Sequence, residues 1–207
     1  MFTGIIEATG RIVAIEPKAI DDDKGDAIYQ FNTGKLGLSD VQLGDSIACN
    51  GVCLTVIEKL EDGFKADASV ETIRVTRFKD YQVGQPVNFE KAMLPTTRFG
   101  GHMVSGHVDA IGEVASIQDA ARSIQYHIKA PQEVLKFIAI KGSITVDGIS
   151  LTVNDLVADG FYLNLVPHTL QETIADSYQA GTQVNLEIDL VARYLERLMT
   201  AEKQAEN

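Results

Sequence analysis

The sequence of 207 residues contains no tryptophan, only two cysteines and five prolines, and far fewer basic than acidic residues. Two cysteines, Cys49 and Cys53, are too few to hold a secreted fold together, so a reducing cytoplasm is the expected compartment. The 18 basic and 29 acidic residues give a formal net charge of -11. This balance argues against nucleic acid and membrane as partners, because both bind basic surfaces. It also makes a heavily phosphorylated ligand a poor candidate.

Signatures of several other protein classes are absent as well. No stretch approaches 18 consecutive apolar residues, and residues 1–7 lack the basic and apolar regions of a signal peptide. The sequence has no glycine-rich phosphate loop, no dinucleotide fingerprint and no Gly-x-Ser-x-Gly motif. Cys49 and Cys53 have Cys-x3-Cys spacing, and His102 and His107 have His-x4-His spacing. Neither spacing is that of the usual zinc fingers, so no metal is expected. A compact planar ligand, bound through backbone groups and hydroxyls, is favoured.

The sequence does contain an internal repeat. Residues 46–56 resemble residues 143–153 at an offset of 97, and about 17 of the 45 positions from residue 46 to residue 90 are identical without a gap. Upstream the offset is 102, which aligns residues 1–7 with residues 103–109. The chain is therefore predicted to contain two copies of one unit, each offering a similar ligand site.

The domain boundaries follow from this repeat. Pro95 and the pair Gly100-Gly101 mark a junction between the copies. We predict a first domain at 1–97, a second at 98–189 and a tail at 190–207. Two copies are too few for a solenoid, so each copy is expected to be a small closed domain.

The local pattern within each copy is that of short β-strands. From Phe2 to Ala14, apolar or small residues alternate with polar ones, as in a strand with one buried face. Asn50-Gly51 and Asp147-Gly148 are tight-turn signals. Short helices are predicted at 70–78, 131–139 and 170–176. Because closure removes edge strands from so short a unit, we predict an all-β fold with an antiparallel barrel in each copy.

The tail has a different pattern. Apolar residues recur at helical spacing and form one stripe on a helix of about 15 residues; they are Leu190, Val191, Tyr194, Leu195, Leu198 and Met199. The stripe can pack on its own chain or form an oligomer interface. The second interpretation is favoured, because an exposed apolar stripe needs a partner.

Two groups of residues are candidates for chemistry. Cys53 and Thr55 share one face of a predicted strand, and Ser150 and Thr152 repeat that face in the second copy. This strip can hydrogen-bond a flat heterocycle, although threonine is also a common strand residue and cysteine a common small apolar one.

The histidines near the junction form the second group. His107, with His102 and Asp109 beside it, can act as an acid or base near neutral pH, or can be a packed or surface histidine. His127 has no partner in the sequence pattern and is interpreted as structural or exposed. His168 follows Pro167 at a predicted strand end, where it can bind a ligand or cap a helix.

Four sequence runs together resemble riboflavin synthase of the alpha-chain type. They are MFTGIIE at residues 1–7, NGVCLTV at 50–56, GGHMVSGHVD at 100–109 and DGISLTV at 147–153. The resemblance covers both lumazine-binding repeats and the C-terminal helix. It implies an all-β fold of two similar six-stranded antiparallel Greek-key barrels, followed by a C-terminal α-helix through which a homotrimer assembles.

The resemblance also implies a reaction. A four-carbon unit passes from one molecule of 6,7-dimethyl-8-ribityllumazine to a second, which gives riboflavin and 5-amino-6-ribitylamino-2,4(1H,3H)-pyrimidinedione in the last step of riboflavin biosynthesis. No cofactor or metal is required. Each barrel binds one substrate, and each active site forms between one subunit's N-terminal barrel and a neighbour's C-terminal barrel. Association with lumazine synthase is a further partner that the resemblance suggests.

Residue roles come from the resemblance together with the differences between the two copies. His107 is expected to transfer a proton together with Thr152 of the neighbouring chain. Cys53 and Ser46 are expected to polarise the substrate of the N-terminal barrel or to orient the nucleophile. Phe2 is expected to pack at the site and Asp189 to support the second barrel, while His102 is a weaker candidate.

The substrate-binding residues that the resemblance implies fall into two sets. The first barrel's substrate is assigned to Cys53, Leu54, Thr55, Asp67, Ala68, Ser69, Val70, Glu71, Thr72, Gly106, His107 and Val108, with Lys141 of the adjacent subunit. The second barrel's substrate is assigned to Gly4, Ile5, Ile6, Ser150, Leu151, Thr152, Val166, Pro167, His168, Thr169, Leu170 and Gln171.

Two rival hypotheses belong to other classes of protein. A non-catalytic optical protein that binds lumazine or flavin shares the barrels, but one of its two repeats has lost the sequence pattern of the site. Here both copies keep the turn and the hydroxyl strip, which favours the enzyme. A generic interaction module of two barrels predicts no lumazine binding.

Overall fold

The chain folds into two closed barrels and a C-terminal helix; residues 1–18 and 25–205 are described by a computed structural model. The first barrel contains β1 (Ala8–Pro17), β2 (Ala27–Asn32), β3 (Ser46–Cys49), β4 (Val52–Lys59), β5 (Gly63–Ala68) and β6 (Pro86–Lys91). The second contains β7 (Ala110–Ala120), β8 (Ser123–Lys129), β9 (Ser143–Val146), β10 (Ile149–Val157), β11 (Gly160–Leu165) and β12 (Gln183–Ile188).

The two barrels have the same strand order. Neighbouring strands run β1-β2-β5-β4-β3-β6 around the first barrel and β7-β8-β11-β10-β9-β12 around the second. All of these pairs are antiparallel. The predicted pair of six-stranded Greek-key barrels is therefore confirmed, and the repeat in sequence is a repeat in topology.

Helices are short except at the C-terminus. They are α1 (Val70–Val75), α2 (Gln132–Leu135), α3 (Pro167–Glu172) and α4 (Leu190–Ala205), with 3-10 turns at Arg77–Asp80 and Ile174–Ser177. The helices predicted at 70–78 and 131–139 are shorter than expected. The helix predicted at 170–176 begins earlier, at Pro167, because proline fits the first turn of a helix. No described helix has the length and apolarity needed to cross a membrane.

Each barrel has its own apolar core. In the first barrel Phe31 packs on Phe64 and Phe89 with ring centroids 5.1 and 5.7 Å apart. The second barrel is filled mainly by aliphatic side chains such as Ile144 and Leu186. Both barrel interiors are therefore filled with apolar side chains.

The segment before β1 corrects one sequence prediction. The alternation from Phe2 to Ala14 predicts one strand, but β1 begins only at Ala8, and Phe2 forms an isolated bridge with Val104. Gly4 has φ +77, outside the range of extended strands. The first seven residues are thus not part of β1: Glu7 still pairs with Phe89 of β6, whereas the Gly4 carbonyl and Ile6 contact the second barrel.

The tight turns of the two copies lie back to back. Asn50-Gly51 and Asp147-Gly148 all have positive φ, as a two-residue turn of this kind requires. A Cβ on Gly51 would lie 2.7 Å from the backbone nitrogen of Gly148. Both turn predictions are confirmed, and the close approach explains why each turn ends in glycine.

Candidate active site

The first candidate pocket is formed on β4. Along this strand Leu54 and Val56 are buried in the barrel core, whereas Cys53 is half-buried and Thr55 is exposed. Ser46 of β3 lies opposite Thr55 in the ladder. The strand alternation therefore presents a thiol and two hydroxyls on one outer face, as predicted.

A segment from the second half of the chain completes this pocket. The Cys53 N–H donates a hydrogen bond to the Gly106 carbonyl at 2.9 Å. Gly106 has φ +81, and a Cβ there would lie 2.6 Å from the Cys53 Cβ. Val108 packs against the core of the first barrel. The structure thus brings Gly106, His107 and Val108 beside Cys53, Leu54 and Thr55.

The second pocket has the reciprocal arrangement. The Ser150 N–H donates to the Gly4 carbonyl at 2.8 Å. Gly4 has φ +77, and a Cβ there would lie 2.6 Å from the Ser150 Cβ. Ile6 packs against the core of the second barrel. Gly4, Ile5 and Ile6 therefore lie beside β10, which carries Ser150, Leu151 and Thr152, so the two halves of the chain exchange these segments.

Short helices border both pockets. Asp67 on β5 lies opposite Thr55, and its carboxylate pairs with Lys18 at 2.6 Å. Ser69 caps α1 by accepting from the Thr72 N–H at 3.2 Å. Residues 67–72, which include Ala68, Val70 and Glu71, therefore span the end of β5 and the start of α1. In the second barrel α3 takes the equivalent place after β11, with Val166 at its cap and Pro167, His168, Thr169, Leu170 and Gln171 in the helix.

Comparisons with known proteins agree with this doubled arrangement. The model of the lumazine binding domain family matches residues 3–92 and 105–189. A riboflavin synthase of Photobacterium phosphoreum is 50% identical over 203 residues, which cover 98% of this chain and 91% of that protein. The riboflavin synthase of Bacillus subtilis (strain 168) is 42% identical over 199 residues, which cover 96% of this chain and 90% of that protein. This chain belongs to the riboflavin synthase family.

Solved structures share the fold. A crystal structure of LumP with 6,7-dimethyl-8-(1'-D-ribityl) lumazine has a TM-score of 0.78 and 24% identity, and the match covers 91% of this chain and 99% of that chain. LumP with riboflavin gives a TM-score of 0.80 at the same identity and coverage. The barrel pair of this member of the riboflavin synthase family is therefore that of proteins solved with lumazine and flavin ligands.

His107 and Thr152 lie at different sites of one chain. His107 is exposed in the segment before β7, next to Gly106, which contacts β4 of the first barrel, while Thr152 is exposed on β10 of the second. Lys141 is also exposed, and it adopts a left-handed conformation with φ +66 before β9. The three residues that the family resemblance assigns to a shared site are therefore all exposed in the single chain.

Phe2 and Asp189 have structural contacts at the pockets. Phe2 is fully buried with Val104, and one of its ring carbons lies 3.0 Å from the Cβ position of Gly106. Asp189 caps α4 by accepting from the Val191 N–H at 2.9 Å. Phe2 thus packs under Gly106 in the first pocket, and Asp189 fixes the start of the C-terminal helix.

His102, the weaker candidate, contacts the second pocket. Its Nδ1 lies 2.7 Å from the Ser150 Oγ, and burial lowers the pKa of the imidazole below its usual value, an effect that nearby Asp189 opposes. A neutral imidazole can exchange a proton with a hydroxyl. Asp109, grouped with the histidines above, accepts instead from Arg193 at 2.7 Å and from the Ile188 N–H at 2.9 Å.

Polar contacts between the barrels were not foreseen. Asn88 donates to the Asp147 carbonyl at 3.0 Å, and Asn185 donates to the Asn50 carbonyl at 2.9 Å. Both asparagines are identities within the repeat, which was the only sequence signal available. In the part of the chain that the structure describes, no three His, Cys, Asp or Glu residues are grouped as metal ligands.

Proposed function

We propose that this chain converts two molecules of 6,7-dimethyl-8-ribityllumazine into riboflavin and 5-amino-6-ribitylamino-2,4(1H,3H)-pyrimidinedione. The observation that carries the proposal is a pair of matching contacts, each between a strand of one barrel and a segment from the other half of the chain: Cys53 with Gly106 and Ser150 with Gly4. A reaction between two copies of one molecule needs two similar sites. Membership of the riboflavin synthase family supports the same conclusion.

The chemistry needs a base and a bound acceptor. The C7 methyl group of one lumazine is acidic because its carbanion delocalises into the ring. That anion attacks the second lumazine, which is activated by a nucleophile at C7. Holding the two rings together makes the step effectively unimolecular, and this proximity contributes several kcal/mol (on the order of 7 or more in the best-oriented systems).

The proposed active site lies between two chains. His107 of one chain and Thr152 of its neighbour transfer the proton, and Cys53 and Ser46 orient the first substrate or its nucleophile. Lys141 of the adjacent chain reaches the first pocket. The support for this arrangement is that His107 is exposed beside β4 of the first barrel, while Thr152 is exposed on β10 of the second.

The proposed assembly is a homotrimer formed through α4. Five apolar residues of this helix are each more than half exposed in the single chain; they are Val191, Tyr194, Leu195, Leu198 and Met199. Ion pairs of Arg193 with Asp109 and of Lys136 with Glu196, both 2.7 Å, hold the opposite side of the helix near the second barrel. A helix held in this way can present its apolar stripe to other subunits.

The proposal extends to the domain bounds, the cellular location and a protein partner. The functional units are 1–97, 98–189 and the oligomerisation helix 190–207, in line with the two matched family domains. A cytoplasmic location fits the free thiols of Cys49 and Cys53. Association with lumazine synthase rests on the family resemblance, and co-sedimentation of the two purified proteins tests it.

The non-catalytic optical protein is the alternative. Both pockets keep their glycine contact and their hydroxyl or thiol strip, which favours the enzyme. Purified protein mixed with 6,7-dimethyl-8-ribityllumazine decides between them. We expect one riboflavin to appear for every two lumazines consumed, followed by absorbance and chromatography. Tight binding without riboflavin formation would establish the optical protein instead.

A further inference from the structure

Two buried carboxylates hold the exchanged segments. The Glu90 carboxylate accepts from the Thr3 N–H at 2.6 Å, from the Thr3 hydroxyl at 2.7 Å and from the Gly4 N–H at 2.9 Å. The Glu187 carboxylate accepts from the Ser105 N–H at 2.7 Å, the Ser105 hydroxyl at 2.6 Å and the Gly106 N–H at 3.0 Å. The two copies thus build one cluster, a glutamate that binds a hydroxyl residue and the following glycine.

These glutamates are enclosed to a degree that is rare for a carboxylate. Glu90 is 4% exposed and Glu187 is 1% exposed. A buried carboxylate is costly unless hydrogen bonds compensate for lost hydration, and here three donors do so in each copy. All of these donors belong to the exchanged segments, so the carboxylate and the segment hold each other in place.

Each glutamate lies on one barrel while the segment it holds contributes to the other barrel's pocket. Glu187 is on β12 of the second barrel, and the Gly106 that it binds contacts Cys53 of the first. Glu90 is on β6 of the first barrel, and the Gly4 that it binds contacts Ser150 of the second. His107 directly follows the segment that Glu187 binds.

We propose that Glu187 and Glu90 are positioning residues, which set the exchanged segments over the pocket of the opposite barrel. This inference rests on the proposed function. Glu187 fixes Gly106 and thereby aims His107 at the first pocket, and Glu90 fixes Gly4 and thereby shapes the second. A purely structural glutamate would instead affect the barrel that carries it.

The test uses Glu187→Gln and Glu90→Gln in the full chain. Glutamine keeps the size of the side chain, but its amide group turns a donor toward the backbone N–H groups of the segment, so the cluster loses an acceptor. Leu54 and Leu151 are equivalent residues of the repeat, next to Cys53 and Ser150 in the two sites, and their methyl NMR signals report binding to each site separately. The probe is riboflavin, which the reaction does not consume.

We expect E187Q to weaken riboflavin binding at the Leu54 reporter at least tenfold and to leave the Leu151 reporter within twofold. E90Q should do the reverse. Each variant is thus the control for the other, and E187Q should also lower kcat more than it raises KM, because it displaces His107. Equal effects on both reporters, effects on the glutamate's own barrel, or no effect would overturn the inference.

Two further variants keep the test decisive if a glutamine variant does not fold. Ser105→Ala and Thr3→Val each remove one of the three donors. Ser105→Ala should weaken riboflavin binding at the first pocket and Thr3→Val at the second, each by less than the corresponding glutamine variant. Thr3→Ser and Ser105→Thr exchange the residues of the two copies and should bind as the unaltered chain does. Failure of the unaltered chain to form riboflavin would refute the proposed function alone, because the reporters measure binding independently of turnover.

Discussion

Single residues at the barrel interface differ between the copies in one instructive way. Asn50 accepts from the Asn88 N–H at 2.7 Å and donates to the Tyr81 hydroxyl at 2.7 Å. Asp147 occupies the equivalent position; it accepts from the backbone N–H of Asn185 at 2.8 Å and from the Tyr178 hydroxyl at 2.7 Å. One frame therefore accommodates an amide in the first copy and a carboxyl group in the second.

The carboxyl group makes stability depend on pH. Burial raises the pKa of Asp147 from 3.8 to about 6. Between these values the folded chain holds a proton that the unfolded chain has released, so stability falls as pH rises through this window. We expect Asp147→Asn to remove this loss, which corresponds to roughly 3 kcal/mol. The free energy of unfolding of the unaltered chain and of Asp147→Asn is measured in urea at pH 4 and pH 7. The substitution should stabilise the chain more at pH 7 than at pH 4.

The reciprocal substitution is the control for this prediction. Asn50→Asp should introduce a second buried carboxyl group and make the fall in stability with rising pH steeper. An Asp147→Asn chain that gains equally at pH 4 and pH 7 would show that ionisation of Asp147 is not the cause.

For single residues, the sequence indicated which side chains share one face of a strand, but not which residues they contact across the fold. Cys53, Thr55 and Ser150 were recognised as an outward strip because strand alternation is visible in a sequence. Glu90 and Glu187 were counted as repeat identities, but their partners lie more than 80 residues away. No local pattern shows a hydrogen bond that depends on how the two barrels meet.

Among the elements, the exchanged segments were the least predictable. The alternation from Phe2 to Ala14 is a genuine strand pattern, yet residues before Ala8 are not part of β1. Gly4 takes a left-handed conformation, and its carbonyl pairs with Ser150 on the other barrel. Tertiary contacts therefore override local pattern here, whereas the remaining strands follow their turns and alternation closely.

The C-terminal helix was predictable, and its role can be tested. Leu195→Glu combined with Leu198→Glu places charge on the apolar stripe. We expect the solution mass to fall toward that of a monomer and riboflavin formation to be lost, because charged side chains cannot be buried between subunits without partners. Light scattering coupled to chromatography measures the mass.

Arg197→Ala is the matched control, because it changes an exposed residue away from the stripe. It should leave both mass and activity unchanged, and deletion of residues 190–207 should behave like the double variant. A trimer that survives the deletion would show that the helix does not assemble the protein.

The whole molecule contains two similar sites. Each site combines a strand of one barrel with a segment from the other half of the chain. The internal repeat and the strand pattern predicted two antiparallel barrels, and the family resemblance supplied their six-stranded Greek-key topology. The repeat could not predict the exchange of segments between the copies. That exchange links each pocket to both halves of the chain, while His107 and Thr152 stay at separate sites of one chain.

An active site shared between chains can be tested by mixing inactive variants. His107→Ala and Thr152→Ala should each lower turnover strongly, and His107→Ala should change lumazine affinity far less. When the two variants are dissociated and reassembled together, some interfaces combine an intact His107 from one chain with an intact Thr152 from the other. Random mixing in equal amounts should make about a quarter of the interfaces intact.

The decisive measurement is therefore the rate of riboflavin formation by the mixed assembly. The account predicts recovery to about a quarter of the unaltered rate for random reassembly of equal amounts. Mass spectrometry of the intact assembly must show both chains in one particle. Mixed particles that remain as inactive as either variant alone would contradict an active site formed between the first barrel of one chain and the second barrel of another.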